Sequence, residues 1–135
     1  FYIALLLGIP HGLLTTNILY INQYPDTISD ASTGKNHLIV TFGKKKARWG
    51  YLFILSAAFI SSILLIPYLE NNISSCNKNI FIIGNIVLFT YGLIAFINLY
   101  KNYDKRELIH SNLKTIYLQI FYGLFTVVVF NLFFI

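Results

Sequence analysis

The sequence predicts an all-α protein built as a polytopic transmembrane helix bundle, and three observations lead to that prediction. Apolar residues make up 56% of the chain and charged residues only 11%, whereas soluble domains carry roughly 25% charged residues. Three windows of 21 residues contain no charged side chain: 49–69, 80–100 and 115–135. A fourth uncharged run covers 1–21. Helices that are apolar on every face lie deep inside a large protein or within a bilayer, and 135 residues are too few to bury four of them.

Each of the four predicted spans is long enough to cross a membrane. A helix of 21 residues is about 31 Å long, which matches a hydrocarbon core of about 30 Å. The first run contains helix-breaking and polar residues between positions 8 and 12. It lacks the basic leading segment and the small-residue cleavage site of a secretory signal peptide. In the second span, Pro67 is expected to kink or stop the helix, because proline removes a helical hydrogen bond.

Basic residues are concentrated in two of the three connections between these spans. The linker 22–48 carries five of them and the linker 101–114 carries four, whereas the linker 70–79 carries Lys78 alone. By the positive-inside rule the two basic linkers are cytoplasmic and the third faces the opposite side. The net charge of +5 is therefore explained by topology, and no basic stripe with interleaved aromatic residues indicates binding to nucleic acid.

The segment after the first span carries polar residues at a helical spacing. Asn22, Asp26 and Asp30 are four residues apart, so on a helix they lie about 40° apart in succession and form one stripe. Pro25 would clash with the carbonyl of Ile21 in a continuous helix. We therefore expect a kink at Pro25 or a helix that restarts there. Asp26 and Asp30 share a face in either case, because both follow the proline.

These two carboxylates are candidates for a metal site. Two acids one helical turn apart repel each other unless a cation lies between them, and Mg²⁺ is usually held by one or two carboxylates together with substrate phosphates. Lys35 follows Gly34, where its ammonium group is able to reach a phosphate oxygen. The alternative is a solvated helix end that binds nothing. Asp26 and Asp30 are, however, two of only five acids in the chain, and polar groups at the end of a membrane helix are candidates for function.

The run Asn22-Gln-Tyr-Pro-Asp26, followed by Asp30 and by Gly34-Lys35, resembles the second aspartate-rich motif of the UbiA superfamily of intramembrane prenyltransferases. The form with Asn, Pro-Asp and Gly-Lys is nearest to the branch of 1,4-dihydroxy-2-naphthoate prenyltransferases. The resemblance implies a nine-helix fold, in which 1–135 is the C-terminal portion of a single transmembrane domain. Its four spans would be the sixth to ninth helices, and the N-terminal helices would be missing.

The resemblance also implies an activity: Mg²⁺-dependent transfer of a prenyl chain from a polyprenyl diphosphate to an aromatic quinone precursor in menaquinone biosynthesis. Asp26 and Asp30 would be the catalytic residues and the Mg²⁺ ligands. Lys35 and Asn22 would bind the diphosphate, with Asn22 orienting the motif or joining the coordination. The implied location is a bacterial inner membrane, with the motif on its cytoplasmic side. Because the first aspartate motif is not part of 1–135, we expect this stretch alone to be inactive.

Two other functions stay open at this point. A member of the same superfamily would act on another acceptor, such as homogentisate, a chlorophyllide or another quinone precursor. A non-catalytic four-helix membrane protein, such as a small transporter subunit or a scaffold, would not depend on Asp26 or Asp30. One departure from the family pattern is His37, which stands where a small hydroxyl residue is common and which either contacts a phosphate or has no role. His11, within the first span, either contacts the acceptor or bonds a carbonyl freed by Pro10.

Overall fold

The computed structural model describes residues 2–69 and 75–133, and within them every regular element is a helix. The elements are α1 (Tyr2–Ser32), α2 (Leu38–Phe42), α3 (Lys44–Ile63), α4 (Ile66–Leu69), α5 (Ser75–Asn102) and α6 (Leu108–Phe133). The predicted all-α class is therefore confirmed for the described part of the chain.

The four long helices pack as an antiparallel ring. α1 packs on α3 and α6, and α5 completes the ring by packing on the same two helices. Contacts between α1 and α3 run in opposite directions along the chain, since Asn17 bonds the Tyr51 carbonyl and Tyr24 bonds the Lys44 carbonyl. The neighbouring pairs α1–α6, α3–α5 and α5–α6 are antiparallel as well. Adjacent helices joined by short connections pack in this way in other helix bundles.

Two of the helices are long and apolar enough to cross a membrane, judged by length and composition. They are the stretch Lys78–Asn102 of α5 and the stretch Leu108–Val129 of α6. These stretches cover the predicted span 80–100 and most of 115–135, whose last two residues lie outside the described part. The spans at 1–21 and 49–69, and with them the four-span bundle and the nine-helix fold, stay predictions.

Pro67 follows the end of a helix, whereas the two prolines of α1 lie inside one. Helix α3 ends at Ile63 and the chain turns at Leu64 and Leu65 before α4, as expected four residues ahead of Pro67, whose ring would clash with the Ile63 carbonyl. Helix α1, by contrast, runs without a break through Pro10 and Pro25. Of the two alternatives predicted for Pro25, the restart of a helix is therefore wrong, and the kink stays a prediction.

The continuity of α1 across Pro25 has a source in its packing. Ile21 and Tyr24, on the preceding turn, are fully buried, and Tyr24 is tied to α3 by its hydroxyl group. On the following turn, the Thr27 hydroxyl bonds the carbonyls of Gln23 and Tyr24, at 3.0 and 2.9 Å; the carbonyl that Pro25 leaves without its helical donor is a different one, that of Ile21. Packing against neighbouring helices is therefore what lets this helix continue through proline.

The interior of the bundle is mainly apolar but also holds several polar side chains, and many large apolar side chains lie on its outside. The buried polar residues are Asn17, Ser62, Asn85, Ser111, Thr115 and Thr126. Many of the exposed apolar residues are on α5 and α6, among them Ile83, Val87, Ile94, Ile109, Leu124, Val127 and Val128. An apolar surface this extensive is typical of a protein that lies against lipid or against further helices.

Candidate functional site

Asp26 and Asp30 lie one turn apart on α1, close to its end at Ser32. Asp26 is exposed, and its carboxylate has no hydrogen bond or ion pair with another described residue. Asp30 is only 16% exposed at its side chain. The two acids of the motif therefore differ: one carboxylate is free for an incoming cation, and the other is already held by the protein.

A glycine turn brings Lys35 back to Asp30. After α1 the chain passes through Gly34 at a φ of +78°, a backbone conformation that glycine adopts without steric cost. The Lys35 N–H then donates to the Asp30 carbonyl at 2.9 Å and the Gly34 N–H donates to the Ala31 carbonyl at 3.2 Å. This pair of bonds is the Schellman motif that closes many helix C-termini. Because the chain turns back at Gly34, the side chain of Lys35 is able to reach the Asp30 carboxylate.

Two cationic or ionisable side chains hold the Asp30 carboxylate. Lys35 Nζ lies 3.0 Å from Oδ1 and His37 Nε2 lies 3.1 Å from Oδ2. The hydrogen bond from Lys35 lowers the pKa of Asp30 most; partial burial opposes it and the bond from His37 adds to it. His37 is therefore not a surface residue without a contact. Its ring position is set by the second acid of the motif.

Asn22, the first residue of the motif, bonds across the bundle to α6. Its Oδ1 accepts from Asn112 Nδ2 at 2.6 Å. The Asn112 Oδ1 is buried and has no hydrogen-bond partner within the described residues. The contact joins the motif-bearing face of α1 to the start of α6.

The two basic linkers meet at this same end of the bundle. Lys44, at the start of α3, pairs with Asp104 in the connection between α5 and α6, at 2.9 Å. Arg48 donates to the Tyr100 carbonyl at 3.0 Å, and its guanidinium carbon lies 3.6 Å from the centre of the Tyr100 ring. The motif, the start of α3 and the α5–α6 connection thus form one polar end, as the charge pattern predicted for linkers on a common side.

The donor groups present at this end suit Mg²⁺ as part of a larger site. Asp26 offers an unpaired carboxylate, and a carboxylate such as Asp30 retains acceptor positions beyond the two that Lys35 and His37 use. No group of three or more His, Cys, Asp or Glu residues gathers anywhere in the described part of the chain. The remaining ligands of a Mg²⁺ ion held here would therefore be substrate phosphates, water or residues outside this part, which is the arrangement Mg²⁺ commonly has.

His11 is on α1, far from this end, and its side chain contacts α6. Its Nε2 is 3.1 Å from the Thr126 hydroxyl oxygen and its ring packs edge-on against Tyr122, with centroids 4.9 Å apart. His11 therefore joins two helices by a side-chain contact instead of bonding a carbonyl freed by Pro10.

Comparison with known proteins adds no further identification. No family model, no curated protein and no solved structure matches this chain. The function is therefore argued from the motif and from the geometry of the polar end.

Sequence reasoning missed two contacts of this site. On a helix, residues seven apart share a face but lie two turns, about 10 Å, apart, so Asp30 and His37 come into contact only because the chain turns at Gly34. Asn112 is 90 positions from Asn22, and no local pattern signals that pairing. The one available signal in the sequence was Gly34 itself, since a glycine after a helical run is typical of a Schellman end.

Proposed function

We propose that this chain is part of a Mg²⁺-dependent intramembrane prenyltransferase. It would transfer a prenyl chain from a polyprenyl diphosphate to an aromatic quinone precursor. The observation that carries the proposal is the exposed, unpaired Asp26 one turn before Asp30 on α1, with Lys35 folded back beside the second acid. An acid pair next to an exposed ammonium group is a combination suited to a metal-bound diphosphate.

The two acids would hold the metal in different ways. Asp26 is free to bind the ion directly or through water, whereas Asp30 must share its oxygens with Lys35 and His37. When bound, Mg²⁺ would neutralise the diphosphate leaving group, as metal ions do in phosphoryl chemistry. Asp30 has a lowered pKa, which keeps it ionised and so suited to this task.

Lys35 and Asn22 would act on the substrate. The Lys35 side chain is 70% exposed, so its ammonium group is able to move from Asp30 to a diphosphate oxygen while the Schellman turn holds the backbone in place. Asn22 would keep the stripe aligned through Asn112, and its amide N–H groups are donors for the diphosphate. The allylic C–O bond would then break, and a carbon of the aromatic ring would form the new bond to the prenyl chain.

The proposed acceptor is 1,4-dihydroxy-2-naphthoate, whose carboxylate would leave as CO₂, in menaquinone biosynthesis. This choice is supported by the Tyr-Pro-Asp and Gly-Lys elements of the motif and by their resemblance to that branch of the UbiA superfamily. The same resemblance supports a bacterial inner membrane as the location, with the motif on the cytoplasmic side. Homogentisate or another quinone precursor is the alternative acceptor.

The proposal is tested by turnover of the full-length protein in vesicles. We expect Mg²⁺-dependent diphosphate release from a polyprenyl diphosphate in the presence of dihydroxynaphthoate. Asp26→Ala should reduce the rate by at least about a hundredfold, since removal of a group that stabilises charge in the transition state has effects of this order. Glu107→Gln is the matched control, because Glu107 is an exposed acid at the same end of the bundle. Equal rates for all three proteins would contradict the proposal.

One observation favours a second candidate, a non-catalytic membrane scaffold. Lys35 and His37 already pair with Asp30, so this acid needs no metal for its stability. A scaffold would show no turnover and would tolerate Asp26→Ala without any change in expression or assembly.

A further inference from the structure

A cavity of about 440 Å³ opens at the polar end of the bundle. It lies between α1 at Tyr24 and Pro25, the start of α3 and the connection that leads into α6. Asp26 and Asp30 are not among its lining residues, although Pro25, next to Asp26, is one of them. It is large enough for a phosphate ester with a small organic headgroup.

The charges around the cavity are mostly positive. Its lining includes the cations Lys44, Lys105 and Arg106 and the acid Asp104. Lys44 is paired with Asp104 at 2.9 Å, whereas the side chains of Lys105 and Arg106 are exposed and form no ion pair with other described residues. Two positive charges at the cavity mouth are thus left without a counter-ion, which favours an anionic ligand.

The floor of the cavity is apolar and continues along α6. Tyr24, Leu108 and Ile109 line it, and Ile109 is 59% exposed. Leu113 and Ile116 are exposed one and two turns further along the helix, so an apolar stripe leads away from the cavity. Since α6 is long and apolar enough to cross a membrane, this stripe is placed to lie against an acyl chain.

We propose that this cavity binds the headgroup of an anionic phospholipid, such as phosphatidylglycerol. Lys105 and Arg106 contact the phosphate, and the acyl chains lie along Ile109 and Leu113. Basic pockets between membrane helices bind lipid headgroups by this combination of contacts. The proposal needs α6 to lie in a membrane and does not need prenyl transfer.

The test is a titration of the full-length protein in neutral detergent with short-chain dihexanoyl phosphatidylglycerol, followed by native mass spectrometry. The double variant Lys105→Gln with Arg106→Gln removes the two unpaired positive charges of the cavity. It should raise the Kd for the lipid roughly thirtyfold, since each basic residue near an anionic lipid contributes about fivefold to the affinity. The matched control is Lys45→Gln with Lys46→Gln, which removes the same charge from exposed positions at the same end and should change the Kd less than twofold.

A second variant separates shape from charge. Ile109→Trp fills the cavity from an exposed position without altering its charge, and it should also weaken lipid binding. Equal losses in the two double variants would show general attraction to a basic surface and would overturn the proposal. Displacement of the lipid by micromolar inorganic pyrophosphate would overturn it too, since the cavity would then be a diphosphate site. Because no prenyl substrate is used, these outcomes are independent of the turnover experiment.

Discussion

At Gly34 the chain leaves α1 with a φ of +78° and turns back, so that the next amide bonds the carbonyl of Asp30. A Cβ at this position would meet no other atom within 4 Å, so the need for glycine comes from the backbone alone. The turn carries Lys35 to one Asp30 oxygen and lets His37 reach the other. A single backbone conformation therefore positions both partners of the acid.

We expect Gly34→Ala to loosen this turn. An L-residue in the left-handed region costs about 1–2 kcal/mol, which should speed hydrogen exchange of the Lys35 amide by about 5- to 30-fold. Asn, which tolerates this region, should restore most of the protection. Hydrogen exchange measured by mass spectrometry on residues 30–38 reads out the effect.

The control for that prediction is Gly12→Ala. Gly12 lies within α1, and a Cβ there also meets nothing within 4 Å. Because its backbone is helical, alanine should leave the Lys35 amide unchanged. Similar exchange in the Gly34→Ala and parent proteins would contradict the role given to the turn.

Helices α5 and α6 were predictable because their apolar runs contain no proline, so the length and composition of each run were enough to predict a helix. The extent of α1 was not predictable, because the local effect of Pro25 competes with the burial of Ile21 and Tyr24 against neighbouring helices. The sequence placed Asn22, Asp26 and Asp30 on one stripe of a helix. It did not reveal that His37 and Asn112 contact two of them, since those contacts depend on a turn and on tertiary packing.

Close packing between α5 and α6 depends on Gly84. A Cβ built at Gly84 would overlap the ring of Phe125 on α6, a ring that stacks on Phe81 with centroids 5.8 Å apart. Small residues allow helices to approach in this way in lipid. We predict that Gly84→Ala destabilises the protein by about 1–3 kcal/mol, the usual cost of overpacking.

Thermal unfolding in detergent measures this effect, with Gly12→Ala as the comparison. Alanine at Gly12 meets no neighbour and should be neutral or stabilise by about 0.4–1 kcal/mol. A Tm for Gly84→Ala that equals or exceeds that of Gly12→Ala would show that α5 and α6 do not approach as described.

For the whole molecule, the ring of antiparallel helices brings residues 22–48 and 101–114 to one end, where Lys44 meets Asp104. The start of α5, near Cys76, lies at the opposite end, because α5 runs through the full bundle to Asn102. If the bundle crosses a membrane, both basic linkers face one side and Cys76 faces the other.

Labelling with a membrane-impermeant maleimide tests this arrangement. In a Cys76→Ser background, Lys45→Cys and Lys101→Cys should react from the same face of sealed vesicles, which the positive-inside rule makes the cytoplasmic one. The native Cys76 should react only from the other face. Reaction of Lys45→Cys and Lys101→Cys from opposite faces would contradict both the fold and the proposed topology.

The most direct measurement is the binding of Mn²⁺, as a paramagnetic substitute for Mg²⁺, to the full-length protein with pyrophosphate present. Loss of the free-ion EPR signal, compared with a protein-free sample, gives the affinity. We predict that Asp26→Asn and Asp30→Asn each weaken retention of the ion at least about tenfold, as expected when one anionic ligand is neutralised, and that Glu107→Gln leaves it unchanged. Equal Mn²⁺ binding by the parent and both aspartate variants would mean that the acid pair on α1 holds no metal-bound diphosphate.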